Sequence, residues 1–343
     1  MTFEPIRTER LLLRPVRRTD ADALTERRNN PDVAKWQTWT LPYPAERAEQ
    51  SVDEMAAMPG PVHDEWWMLT IADLADTEIY GDVPIRLTWD GRSAEIGYSL
   101  TPTAWGKGYA TEAVEAVCAR LFDDGKVTRL SAMLHPDNTA SAQVLERTGF
   151  VFEGHTLLSF WVGNDNSDDW LYGMTREQHT AWTTRPRHPA GDVRLVAIDH
   201  TNSAAVAALS THHSQRQFVP PIEQSFREAL FVAPHQGSPV EPWLRAVEAD
   251  SELVGFVMLT APTEAHPIPY LWRLLIDRRH QRRGVGHCVL DLIVEHCREA
   301  GATALDISWL PGRGSPEPLY VRYGFASTGE IVDGEIEGRL SLA

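Results

Sequence analysis

The chain of 343 residues contains one unit twice. Moved along by 176 positions, Gly108 falls on Gly284, Ala110 on Gly286 and Gly125 on Gly301. One position is then lost, and at 175 Pro136 falls on Pro311, Gly149-Phe150 on Gly324-Phe325 and Gly154 on Gly329. A chain of this length supports about two domains, each burying its own core. The repeat therefore reads as two copies of one fold.

Both copies run in the same order. "AEIGYSL" (94–100) alternates as a strand, a glycine turn follows, and "ATEAVEAVCARLFDD" (110–124) is apolar at helical spacing as far as Gly125. "YLWRLLID" (270–277) and "VGHCVLDLIVEHCREA" (285–300) repeat this up to Gly301. Short apolar strands (129–134, 304–310) and proline-containing loops come next. Short helices (139–150, 315–325) then stop at glycine, where a left-handed cap costs least. Closing hairpins end each copy, and helices with strand pairs open it. Prolines and a glycine in "TTRPRHPAGD" (183–192) break both patterns, which predicts domains 1–183 and 192–343 around a linker at 184–191.

A net charge of -16 argues against nucleic acid and favours cationic partners. Cys118, Cys288 and Cys297 lack metal-site spacing and read as packed thiols, so no metal is expected. No apolar run is long enough to span a membrane, and the N-terminal stretch lacks the order of a secretory signal. A cytoplasmic protein is expected, and a homodimer is compatible with the sequence.

A glycine turn that opens a helix presents free backbone N–H groups at the positive end of the helix dipole, a site for pyrophosphate. Gln281-Arg282-Arg283-Gly284-Val285-Gly286, between a strand and an amphipathic helix, resembles motif A of the GNAT superfamily of acyl-CoA-dependent N-acyltransferases. "WGKGYA" (105–110) departs from it at Trp105, where Gln or Arg is usual. It resembles the variant found in the branch that acetylates ribosomal-protein N-termini, as do residues 7–24 and 138–154. The resemblance implies an α/β (α+β) fold of two tandem GNAT domains, each a mixed, mostly antiparallel sheet flanked by helices. It implies acetyl-CoA gripped at Trp105, Gly106, Lys107, Gly108, Tyr109 and Ala110, and again at Gln281, Arg282, Arg283, Gly284, Val285 and Gly286. Leu100, Leu275 and Ile276 on the preceding strands and Asn138 at the pantetheine arm complete the cofactor set. The side chains of Lys107, Arg282 and Arg283 read equally as phosphate contacts or as solvated turn residues.

Amide formation from a thioester needs a neutral amine, an oriented carbonyl and a fate for the thiolate. Tyr320, four residues before Gly324, matches the family's general-acid tyrosine. The first copy has Leu145 there. Ser141 matches the branch's serine, which supports the CoA thiol, though it and Asn138 also read as helix-capping and loop residues, and Glu95 is the candidate base or a solvent-face carboxylate of the strand. Segments 239–260, 270–286 and 328–342 resemble bacterial polyamine acetyltransferases. The expected acceptor is therefore a small cationic amine, a polyamine or an amine-bearing antibiotic, held by Glu330 and Glu335, with Glu337 reading as hairpin surface. Acetylation of a peptide N-terminus through the first copy, or a sensor with one degenerate domain, are the alternatives. Trp36, Trp39, Trp66 and Trp67 offer the lining of an acceptor pocket, but aromatic residues are most often core, and they receive no role in the site.

Overall fold

In the segment Arg129–Leu134, Leu130, Ala132 and Leu134 are buried while Met133 is half exposed, the two-residue period of a strand laid on a core. The computed structural model describes residues 3–162, 165–232 and 238–342. Two units emerge, Met1–Thr184 and Arg185–Ala343.

Unit 1 opens with β1 (Ile6–Arg7) and β2 (Leu11–Pro15), then α1 (Ala21–Asn29), α2 (Pro31–Ala34) and α3 (Ala45–Ala56). The antiparallel strands β3 (Trp66–Asp73) and β4 (Ile79–Thr88) lead to β5 (Ser93–Ile96) and β6 (Ser99–Leu100), one strand interrupted at Gly97-Tyr98. After α4 (Tyr109–Asp123) come β7 (Arg129–Leu134), α5 (Thr139–Arg147), β8 (Val151–Val162), β9 (Asp165–Thr175) and α6 (Arg176–Thr183). The sheet order is β1-β2-β3-β4-β5-β7-β9-β8, with β6 also on β4 and the pair β5–β7 parallel. A capping box from Thr175 and Gln178 starts α6, and its Trp182 closes over Gly149.

Unit 2 repeats the plan with β10 (Val193–Val196), α7 (Ser203–Ala207), α8 (Ile222–Leu230), β11 (Pro242–Ala249), β12 (Glu252–Thr260) and β13 (Tyr270–Ile276). Then follow α9 (Val285–Glu299), β14 (Ala304–Trp309), α10 (Glu317–Tyr323), β15 (Ala326–Val332) and β16 (Glu335–Ser341). The order β10-β11-β12-β13-β14-β16-β15, with β13–β14 parallel, is that of unit 1 from β2 onward, without a counterpart of β1. Each sheet is thus mixed and mostly antiparallel.

Burial drives both units. Trp67, Leu69, Ile85, Leu121, Leu130 and Phe150 belong to the core of unit 1. In unit 2 the sheet is packed on both faces. Val289, Ile293, Leu305 and Ile307 join one cluster, and Val206, Ile222, Phe256 and Met258 the other. Buried charge in unit 1 is paired: Arg14 binds Asp20 at 2.7 Å, and Arg27 binds Asp82. Burial pushes the Asp20 carboxyl up, but bonds from Arg14, the Arg17 N–H and Thr70 outweigh it and hold the group below the usual carboxylate range. Among the described residues no helix is long and apolar enough to cross a membrane, and no cluster of His, Cys, Asp or Glu is placed to hold a metal ion.

Candidate functional site

The central strand of each sheet feeds a glycine turn. In unit 1 the chain leaves Leu100, and α4 starts behind Gly108, whose φ is +81°. In unit 2, α9 starts behind Gly284 at φ +79°. Only a residue without Cβ takes up this backbone at little cost. No side chain caps either helix start, so its first N–H groups are left for a ligand. The space in front is open, because a Cβ built on Gly106 or Gly284 meets nothing within 4 Å.

Trp105 departs from the common motif without changing the turn. Its Nε1 donates to the Leu100 carbonyl at 2.9 Å, and Gln281 Nε2 donates to the Ile276 carbonyl at 3.1 Å. These are the same two positions moved by 176. Gly106 and Arg282, equivalent by the same shift, both have positive φ, +74° and +63°.

Past the turn the parallel strands part. β5 and β7 pair at Ser93↔Arg129, Ala94↔Leu130 and Glu95↔Ser131, after which β7 runs on to Leu134. β13 and β14 pair at Tyr270↔Asp306 and Leu271↔Ile307. In unit 1 a cavity of about 920 Å³ lies at this parting, lined by Glu95, Tyr98, Asn138, Ser141 and Leu145 among others. Asn138 caps α5 by accepting the Ser141 N–H at 3.2 Å. The Tyr98 hydroxyl donates to the Ser141 carbonyl at 2.8 Å and lies 2.7 Å from Ser141 Oγ, where either oxygen can donate. Burial pushes the Tyr98 phenol well above its ordinary range.

The GNAT acetyltransferase domain model matches residues 10–151, and the GNAT acetyltransferase family model matches residues 201–325. The chain belongs to the GNAT acetyltransferases twice over. The uncharacterized N-acetyltransferase YoaA of Bacillus subtilis is 29% identical over 153 residues, 44% of this chain and 85% of YoaA. The ribosomal-protein-serine acetyltransferase of Escherichia coli is 33% identical over 78 residues, 23% of this chain and 43% of that protein. A GNAT-family acetyltransferase structure from Bacillus anthracis aligns with a TM-score of 0.45 at 25% identity, covering 51% of this chain and 99% of that one.

This tandem GNAT enzyme is an N-acetyltransferase that uses acetyl-CoA. The turns at 105–110 and 281–286, uncapped at their helix starts and open at Gly106 and Gly284, have the geometry that would hold its pyrophosphate, with Arg10 beside Gly108 and Leu319 beside Gly286. Their side chains behave unequally. Lys107 and Arg282 are exposed, while Tyr109 stacks on Tyr80 with ring centres 4.9 Å apart. Arg283 corrects an expectation: it is 3% exposed, pairs with Asp250 at 2.5 Å and donates to the His188 carbonyl at 3.0 Å. Its charge is consumed inside the turn and is not offered to a phosphate. Arg10, overlooked in the sequence, holds the turn of unit 1 by donating to the Lys107 carbonyl at 2.9 Å and to Glu112 at 2.7 Å. Leu100 and Leu275 are buried, so the strand backbone is what they can offer, as Ile276 does through its carbonyl.

The tryptophans require a second correction. Trp67 is fully buried, but Trp36, Trp39 and Trp66 line the cavity. Lys35 Nζ lies 4.4 Å over Trp36, Arg28 is 4.9 Å from Trp39, and Arg86 is 5.0 Å from Trp66. Arg86 also pairs with Glu95, so that carboxylate is engaged across the strands.

In unit 2, Tyr320 is 6% exposed, with Trp309 and Phe325 each 5.9 Å from its ring centre, and burial raises its phenol. Glu335 accepts a hydrogen bond from Ser308. Tyr270 lies opposite Asp306 on β14 as Glu95 lies opposite Ser131 on β7; burial raises its phenol, Glu335, Glu337 and Asp306 add to the rise, and a bond with Ser308 opposes it. Glu337 therefore belongs to this group, whereas Glu330 is exposed on β15 and is not among it.

Proposed function

We propose that unit 1 acetylates the amino terminus of a peptide or protein chain. The observation that carries this reading is the composition of the cavity wall. Arg28, Lys35 and Arg47 line it together with Glu54, Glu65, Glu95, Asp165 and Asp169, beside three tryptophans. Both signs of charge face the cavity, and a peptide offers its backbone and both signs in return, whereas a polyamine offers one. The volume, about 920 Å³, is at the upper end of the range for small-ligand pockets and suits a few residues of extended chain.

The proton inventory supports the same acceptor. An α-amino group has a pKa of about 7.7–8.0, against about 10.4 for a lysine-like amine. A useful fraction is therefore neutral near pH 7 without a strong base, and Glu95 is already engaged by Arg86. Acetyl-CoA supplies the thioester carbonyl. The turn at 105–110 holds the pyrophosphate, Asn138 and Ser141 flank the arm, and the cavity aligns the amine.

The test is CoA release by the full chain with peptides of free or blocked amino terminus, alongside spermidine. Release with the free peptide and none with the blocked one is expected. Release with spermidine and neither peptide would refute the reading.

A second reading concerns unit 2. Glu335 and Glu337 lie by Tyr270 and Ser308, while Asp306 beside them is held by Arg339 at 2.6 Å; the two glutamates suit a cationic amine, with Tyr320 as general acid. Tyr320→Phe in the full chain should then remove spermidine turnover and spare peptide turnover.

A further inference from the structure

The repeat register sets two positions against each other. Tyr98 in unit 1 corresponds to Leu274 in unit 2, and Leu145 in unit 1 corresponds to Tyr320. Tyr98 and Leu145 line the same cavity, and Leu274 packs against the cluster that contains Tyr320. One phenol and one leucine have exchanged walls. In unit 2 the phenol comes from α10, and in unit 1 it comes from the strand break at Gly97-Tyr98 and reaches α5 at Ser141.

We propose that Tyr98 is the positioning residue for Ser141 in unit 1, and that the two hydroxyls together do for the departing sulfur what the single phenol of Tyr320 does in unit 2. This rests on unit 1 being an acetyltransferase site with Ser141 at the sulfur. In the reaction a C–N bond forms and the C–S bond breaks. The electron pair stays with the sulfur, and the amine's surplus proton goes to solvent. Ser141 turns its O–H toward the sulfur as charge develops there. Tyr98 then swings its one O–H from the Ser141 carbonyl to Ser141 Oγ, both within its reach, so the serine oxygen gains a donor when it gives one. No proton leaves either residue. That matters because a tyrosinate would be costly at this place: burial raises the phenol, and Glu146 nearby adds to the rise. In unit 2, Pro316 occupies the position of Ser141, so no hydroxyl at that point needs support.

The test is a double-mutant cycle in the full chain with Tyr98→Phe and Ser141→Ala, read by turnover and by binding. Tyr98→Phe keeps the ring and removes the one hydroxyl. A fall in kcat of about tenfold is expected, with KM for acetyl-CoA little changed. In the Ser141→Ala background the same substitution should cost less than about twofold. Binding of CoA and of desulfo-CoA, which lacks the thiol, is measured by calorimetry without any acceptor. Because both substitutions lie in unit 1, changes from the unsubstituted chain report that site. Tyr98→Phe and Ser141→Ala should each reduce the preference for CoA, and the pair no further. Equal cost of Tyr98→Phe in both backgrounds, or a thiol preference that neither substitution moves, would overturn the proposal. If no peptide is acetylated, the acceptor reading fails alone, and the binding cycle still decides the role of Tyr98.

Discussion

Unit 1 and unit 2 share strand order, parted parallel strands and glycine turns, yet they hold those turns and furnish their sites with different side chains. Trp105 and Gln281 donate the same hydrogen bond to the same strand carbonyl. Arg10 braces one turn from a distant loop, whereas Arg283 braces the other through Asp250 from within. The phenol stands on opposite walls. Backbone geometry is what the two copies keep, and side chains are free to change wherever another side chain can supply the same donor.

The largest expected effect separates the units outright. Ser141→Ala should lower peptide acetylation by roughly a hundredfold, as loss of a donor to a developing anion does, and leave any turnover of unit 2 unchanged. A similar loss in both activities would mean that the units do not work separately. Tyr320→Phe is the converse, with a fall of about a hundredfold in spermidine turnover and none with peptides. Steady-state assays with both acceptors would reveal any crossover.

A smaller effect sharpens the comparison at the turns. Trp105→Phe removes the bond to Leu100 and should cost about 1 kcal/mol in stability or acetyl-CoA binding. Trp105→Gln should recover most of it, because glutamine makes this bond in unit 2. Thermal melts with and without CoA would show whether Gln is better than Phe; equality would dissolve the equivalence.

The smallest effect is in acid. In unit 1, Asp20, Asp76 and Glu112 are all held low: burial pushes each up, and bonds from Arg14, from Arg14 and Arg17, and from Thr8 and Arg10 respectively outweigh it. A depressed folded-state pKa contributes stability that is present above the unfolded value of about 4 and is lost as pH falls through the folded value. Melting temperature should therefore drop below about pH 4, and Asp20→Asn should start lower and fall less steeply. An unchanged slope would remove Asp20 from the acid response.

The sequence made the backbone legible and much of the site illegible. Gly108 and Gly284 stand out because a left-handed turn excludes most other residues, and the shift between copies located them. The cavity tryptophans were indistinguishable from core, since a large aromatic beside a strand is usually buried. Arg283 was misread because closeness to a phosphate turn does not say where a side chain points, and its partner Asp250 is 33 residues away. Tyr98 was missed although a signal existed. Leu145 was already set against Tyr320, and following the shift to the preceding strand would have shown Tyr98 over Leu274 as well.

The most direct measurement converts one arrangement into the other. Tyr98→Leu alone should reduce peptide turnover by unit 1 by tenfold or more, on the order of one lost hydrogen bond. Adding Leu145→Tyr to it places the phenol on the helix, as in unit 2. Recovery of most of the turnover in the double variant is the expected result. A folded double variant no more active than Tyr98→Leu would contradict the exchange of walls between the two units.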